Sequence, residues 1–214
     1  MKKNIFAPFE TTPCFSKQNL KSYFQGSDFA LDERIKRALR NKQIFNLKKG
    51  LYTSSVYYLK EPDKTKFKEF IGAKLRFPSY LSREYVLAKD NLLTEATYPL
   101  TSITTKTSYI YQNFLGTYKY SSIKKELYFG FKEVSFGQNK YLVATKAKAL
   151  FDFLYLKRNL GDLKREILKD LRINWCNFFV EDLKLLESYV LRSKSKKMEK
   201  ILKILKKKYA STSS

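Results

Sequence analysis

The chain has 214 residues, 43 of them Lys or Arg against 20 Asp or Glu, which gives a formal charge of +23. At 43% hydrophobic and 16% aromatic it has ample material for a core, so it is not a disordered polycation. No apolar run nears the roughly 18 residues that span a bilayer, and the absence of His removes Ser-His-Asp and Cys-His catalysis and His-ligated zinc.

In chain order, Ser16 caps a short predicted helix running to Phe24, with Leu20, Tyr23 and Phe24 on its inner face. Gln25-Gly26-Ser27 makes a turn. A second helix spans from about Asp28 or Leu31 to Lys42, its buried stripe formed by Leu31, Ile35, Ala38 and Leu39. The opposite face carries Arg37 and Arg40, flanked by Arg34, Lys36 and Asn41. Ile44–Leu47 and Leu51–Thr53 then read as a hairpin, with Lys48, Lys49 and Gly50 at its tip.

A linker, Lys60–Lys64, separates this region from the rest, and a helix follows over Thr65–Leu75. Pro78-Ser79-Tyr80-Leu81-Ser82 is expected to open another helix, reaching about Leu93. From Tyr98 to Ala144 the Thr, Tyr, Phe and Val content predicts strands near Ser102–Thr107, Gly116–Ser121, Leu127–Phe136 and Lys140–Val143. Helices are expected over Thr145–Lys157, Asp162–Ile173 and Val180–Arg192. The stripe of the first is Ala147, Leu150, Phe151 and Leu154. The tail, Lys194–Tyr209, is a basic amphipathic helix with Met198, Ile201, Leu202 and Leu205 on one side. It reads as a packed terminal helix with a solvated face, as a supplementary nucleic-acid contact, or as a membrane-surface helix.

The unbalanced positive charge attracts polyanions. Nucleic acid and an acidic membrane surface both answer that description. An Arg-rich helix face suits the major groove, where bidentate Arg reaches guanine O6 and N7, and a basic hairpin beside it reaches phosphates. The chain has no GxxxxGK[ST], GxGxxG or GxSxG, and seven glycines leave little for phosphate-cradling loops. Asp162-Leu163-Lys164 and Asp182-Leu183-Lys184 have the acid-x-Lys spacing of some nucleases, but each sits at a predicted helix start, where an acid faces the helix dipole. Cys14 and Cys176 stand alone and read as reduced, buried thiols of a reducing compartment. Pro8, Glu10 and Pro13 interrupt any signal-peptide apolar region after Met1-Lys2-Lys3, and a cytoplasmic protein is expected.

Three segments carry a resemblance. Ile44-Phe45-Asn46-Leu47-Lys48-Lys49-Gly50-Leu51-Tyr52 closes the N-terminal region. Pro78-Ser79-Tyr80-Leu81-Ser82 and Tyr98-Pro99-Leu100-Thr101 lie in the middle, and Leu142-Val143-Ala144-Thr145-Lys146-Ala147-Lys148-Ala149-Leu150-Phe151-Asp152 comes last. In that order, over Phe15 to Lys157, they are similar to the AbiEi-type antitoxins, the regulatory halves of bacterial type IV toxin–antitoxin pairs. The resemblance implies a winged helix that binds operator repeats upstream of its own operon and represses it. It also implies a C-terminal domain that counters a toxin of nucleotidyltransferase fold without an obligatory stable complex. Carried over, Arg34, Lys36, Arg37, Arg40 and Asn41 face the groove, and Lys48 and Lys49 contact phosphate. Gln43 stands where that family's turn often has Gly, and the Lys-rich tail past Lys194 does not map onto the family.

The expected fold is therefore α+β: a winged helix-turn-helix over 1–60, then a mixed α/β antitoxin-like domain over 61–214 ending in helices. The expected protein is a non-enzymatic autorepressor and antitoxin with no cofactor and no metal. Its partners are double-stranded DNA and a nucleotidyltransferase-like toxin, and it does not engage membranes. A stand-alone regulator, and an RNA-binding protein or nuclease, are the alternatives.

Overall fold

Two units divide the chain: residues 1–75 with 111–117, and residues 76–110 with 118–214. The computed structural model describes residues 4–94, 99–158 and 161–211, so Tyr98 of the second resembling segment lies outside the described residues.

In the N-terminal unit a 3-10 turn, Ala7–Phe9, precedes strand β1 (Phe15–Ser16) and helix α1 (Lys17–Lys21). Ser16 caps α1 reciprocally: its Oγ accepts the Asn19 N–H at 3.1 Å, and Asn19 Oδ1 accepts the Ser16 N–H at 2.8 Å. The helix ends earlier than expected. Tyr23 N–H donates to Leu20 O and Phe24 N–H to Lys21 O, and these tight closures turn the chain away. Tyr23, expected on the inner face, is 56% exposed.

Helix α2 (Asp28–Arg40) starts at Ser27, whose Oγ accepts the Ala30 N–H at 3.2 Å. It stops where Lys42 takes the left-handed conformation, φ 54°. Leu31, Ile35 and Ala38 are buried as the spacing requires. They meet Phe9, Phe15, Leu20, Ile44 and Tyr52 in one core, where each large apolar side chain contributes about 1.5–3 kcal/mol. Strands β2 (Ile44–Lys48) and β3 (Leu51–Ser54) pair antiparallel, and β3 also takes β1, giving the order β1-β3-β2. Gly50, at φ 76°, makes the hairpin turn that a side chain would strain.

Helices α3 (Ser55–Lys60) and α4 (Lys64–Leu75) complete this unit. The first unit thus runs on past the expected linker to Leu75. The reason is packing: the Phe67 ring of α4 lies 5.8 Å from both the Tyr57 and the Tyr58 ring.

The C-terminal unit places most of its strands before its helices: β4 (Ser79–Leu81), α5 (Glu84–Lys89), β5 (Leu100–Thr104), β6 (Tyr109–Asn113) and β7 (Gly116–Ser122). Then come β8 (Phe131–Phe136), β9 (Asn139–Ala144), α6 (Lys146–Leu156), α7 (Leu163–Arg165) running into a π-helical turn over Glu166–Asp170, α8 (Val180–Ser193) and α9 (Lys196–Ala210). The tip of the β6–β7 hairpin, 111–117, belongs to the first unit. The strand order is β6-β7-β5-β4-β9-β8, with β4–β9 and β5–β7 parallel and β4–β5 and β8–β9 antiparallel. The whole is α+β.

Residues 78–82 do not open a helix. Ser79, Tyr80 and Leu81 form the central strand β4, buried throughout, and Ser82 N–H extends the ladder to Thr101 O. The stretch 109–113, outside the four expected strands, is a strand, and only short helical turns replace the helix expected over Asp162–Ile173. Among the described residues no helix is long and apolar enough to cross a membrane.

Candidate nucleic-acid interface

Helix α2, its C-terminal cap and the β2–β3 hairpin carry every residue singled out for DNA contact. At about 100° per residue, Phe29, Glu33, Lys36, Arg37 and Arg40 fall within about 100° of one another, opposite the buried stripe. Lys36, Arg37 and Arg40 are exposed. Glu33, the acid on this face, is engaged by Lys36 at 2.7 Å. Lys36, then Arg40 and Arg37, hold the Glu33 carboxyl below its ordinary range. Arg37 and Arg40 form no ion pair within 4 Å among the described residues, so the face presents two guanidinium groups one helical turn apart.

Arg34, Asn41 and Lys48 sit differently. Arg34 is half-buried on the flank, its guanidinium 6.0 Å from the Phe24 ring centroid, where it lines a cleft of about 480 Å³ with Asn4, Ser22 and Tyr23. Asn41 is exposed at the C-terminal cap of α2, one residue beyond the helix. Lys48 does not project from the hairpin tip. Its Nζ donates to Leu75 O at 2.7 Å and to Lys74 O at 3.4 Å, and it lies 5.9 Å from the Tyr111 ring. Those carbonyls are the orphaned last acceptors of α4, which a cation satisfies. Lys49 alone of the two tip lysines is exposed. The Gly50 carbonyl beside it accepts the Lys17 N–H at 3.0 Å, fixing the tip against the start of α1.

Two exposed residues on this surface escaped the sequence reading. Phe29 is 76% exposed on the same face as the arginines, and Lys42 is exposed at the turn between α2 and β2. An aromatic residue on the polar side of an amphipathic helix was the available signal. Such a ring beside Arg groups offers a flat apolar contact next to bidentate donors.

The acids weighed as nuclease candidates act as helix-start groups. Asp162 Oδ1 accepts the Lys164 and Arg165 N–H groups at 3.0 and 3.2 Å. Asp182 Oδ2 accepts the Phe179 N–H at 3.1 Å and pairs with Lys146 at 3.3 Å. Cys14 is half-buried, its thiol pushed up by desolvation, and Cys176 is exposed, so neither is the fully buried thiol expected.

A polar centre that the sequence did not announce lies inside the C-terminal unit. Lys148 and Asp152, one turn apart on α6, are both fully buried, with Nζ 2.6 Å from Oδ1. Asp152 Oδ2 also accepts the hydroxyls of Ser82 at 2.7 Å and Tyr80 at 2.9 Å. The ammonium sits 4.7 Å from the Phe151 ring and 4.9 Å from the Phe129 ring. Burial pushes the carboxyl up and the ammonium down, each opposed by its partner, so the pair carries no net charge wherever the proton rests. It is enclosed and joins β4 to α6. Compared with known proteins, the chain matches no family model and no curated sequence.

Proposed function

We propose that the chain is a DNA-binding transcriptional regulator, with α1, the turn and α2 acting as a helix-turn-helix and the β2–β3 hairpin as its wing. One observation carries this reading: Lys36, Arg37 and Arg40 stand exposed on α2 opposite its buried stripe, directly before a hairpin with exposed Lys49 at its tip. Arg37 and Arg40 are placed for base edges, Lys36 and Lys49 for phosphate. The strand order β1-β3-β2, which ties the hairpin back to the strand before α1, supports the same reading.

The reading extends to an AbiEi-type autorepressor and antitoxin that opposes a nucleotidyltransferase-like toxin. Two of the three resembling segments support it by meeting in space. Leu81 pairs with Val143 between β4 and β9, and Asp152 binds Tyr80 and Ser82.

The test is a titration of the purified chain on the DNA upstream of its own reading frame, beside scrambled DNA of equal length, at 50 and 200 mM salt. Preference for the upstream duplex that survives the higher salt is expected. Equal binding to both that vanishes as salt rises overturns the regulator reading, since counterion release alone then accounts for it. For the antitoxin half, the downstream frame is expected to encode a nucleotidyltransferase-like protein whose toxicity this chain relieves on co-expression. A toxic downstream partner left unrelieved overturns that half alone.

A further inference from the structure

Helix α9 begins at Ser195, whose Oγ accepts the Met198 N–H at 3.4 Å, and runs to Ala210. Met198, Ile201 and Leu205 are 0% exposed and Leu202 8%, so its apolar face is consumed by the core of the C-terminal unit. Two lysines are tied down. Lys197 Nζ donates to the carbonyls of Leu154, Tyr155 and Lys157 at the end of α6, at 2.7–3.0 Å, and Lys206 pairs with Glu187 of α8 at 2.5 Å.

Four others are not. Lys196, Lys200, Lys203 and Lys207 are exposed, and none of their ammonium groups has an ion-pair or hydrogen-bond partner among the described residues. Their spacing of four, three and four residues puts them on one line along α9, spanning about 16 Å. Like charges at this spacing work against a helix, and a cation at its N-terminus opposes the dipole. The row is therefore not what holds α9 together; burial of the opposite face does that. What the row provides is a rigid line of four lysines, with Glu199 beside its first turn as the one acid of α9.

The matching ligand is a stiff linear polyanion. Duplex DNA carries one charge per about 1.7 Å of axis, so a 16 Å ridge meets several phosphates in any register. A membrane-surface helix would instead need an apolar face free to enter the lipid, and here that face is occupied. We propose that the Lys196–Lys200–Lys203–Lys207 ridge is a second, sequence-independent contact to the phosphate backbone of duplex DNA, separate from α2. The choice of duplex as the polyanion rests on the regulator reading above.

The test uses the full chain with Lys196, Lys200, Lys203 and Lys207 all changed to Gln. A control carries Lys124→Gln, Lys125→Gln, Lys164→Gln and Lys169→Gln, four exposed lysines elsewhere in the same unit. Affinity for a scrambled duplex is measured between 50 and 200 mM salt. The ridge variant is expected to lower the slope of log K against log salt by about three to four, and the control by less than one. Circular dichroism and melting temperature should be unchanged or improved in the ridge variant, because repulsion along α9 is relieved.

An unchanged slope, or equal losses in ridge and control variants, overturns the proposal. So does ridge-dependent binding to phosphatidylserine vesicles without ridge-dependent binding to duplex. The regulator reading fails separately, by loss of preference for the upstream duplex, which the ridge variant should leave intact.

Discussion

Two side chains on one helix turn decide the interior of the C-terminal unit. Lys148 and Asp152 are fully buried, and the carboxylate also serves two hydroxyls, from Tyr80 and Ser82. Breaking such a pair leaves a buried charge without compensation, which costs about 3–5 kcal/mol. Asp152→Asn should lower unfolding free energy by about 3 kcal/mol in urea titrations. The double variant with Lys148→Met should cost less than the sum of the singles by between about 0.5 and 3 kcal/mol. Additive effects would mean that the two groups do not interact. Lys148→Met alone adds a pH signature. Without the ammonium, burial holds the Asp152 carboxyl above its ordinary value of about 4, so stability is complete below that value and falls as pH rises through the shifted one. The gap to the unmodified chain should therefore widen from pH 4 to pH 7. On α2, Arg37→Ala and Arg40→Ala should each cost about 1–3 kcal/mol on the upstream duplex and relax sequence preference, with little change on scrambled DNA.

At the scale of elements, the hairpin separates two lysines that the sequence presents as equals. Lys48 closes the C-terminus of α4, whereas Lys49 points to solvent. Lys49→Ala should weaken binding to all duplexes alike and lower the salt slope by about one. Lys48→Met should leave that slope unchanged and cost about 1 kcal/mol of stability by freeing two carbonyls; a slope that fell by one for Lys48→Met would put its ammonium on phosphate instead. The difference was illegible from sequence because Lys48 and its acceptor stand 27 residues apart. What was legible follows the same logic. Helices α2, α8 and α9 each bury one stripe, so a period near 3.6 is written into them, whereas α6 is buried all round from Ala147 to Leu154. Strand β4 has no such mark, because a central strand buried on both faces loses the alternation that announces an edge. Its Pro and Ser residues then resemble a helix start. Lys148 and Asp152, four apart on a helix, have the spacing of a solvated surface pair, and only the arrival of β4 makes them interior. The exposed arginines of α2 were readable because exposure is the complement of the stripe.

Across the whole molecule, the tyrosines report how the chain closes. There are 16 of them, and several are held as phenols by burial. Tyr128 and Tyr209 are each pushed up to about 12 by desolvation, and Tyr57 and Tyr80 higher still, where the carboxylates of Glu61 and Asp152 add to it. The Tyr209 hydroxyl, near the end of α9, donates to the Phe178 carbonyl. Each of these groups has a folded value above its unfolded value of about 10. The stability they contribute is therefore complete below pH 10 and is lost as pH rises through 10 to 12. Tyrosinate absorbance should then show two classes: exposed residues ionising near pH 10 while circular dichroism stays constant, and a buried class ionising only as the fold opens. In concentrated urea all should ionise together near pH 10. Tyr209→Phe should make the late class smaller by one tyrosine. A single ionisation step near pH 10 with the circular dichroism intact would mean that these phenols are solvated and that the α9 contact to Phe178 does not close the C-terminal unit.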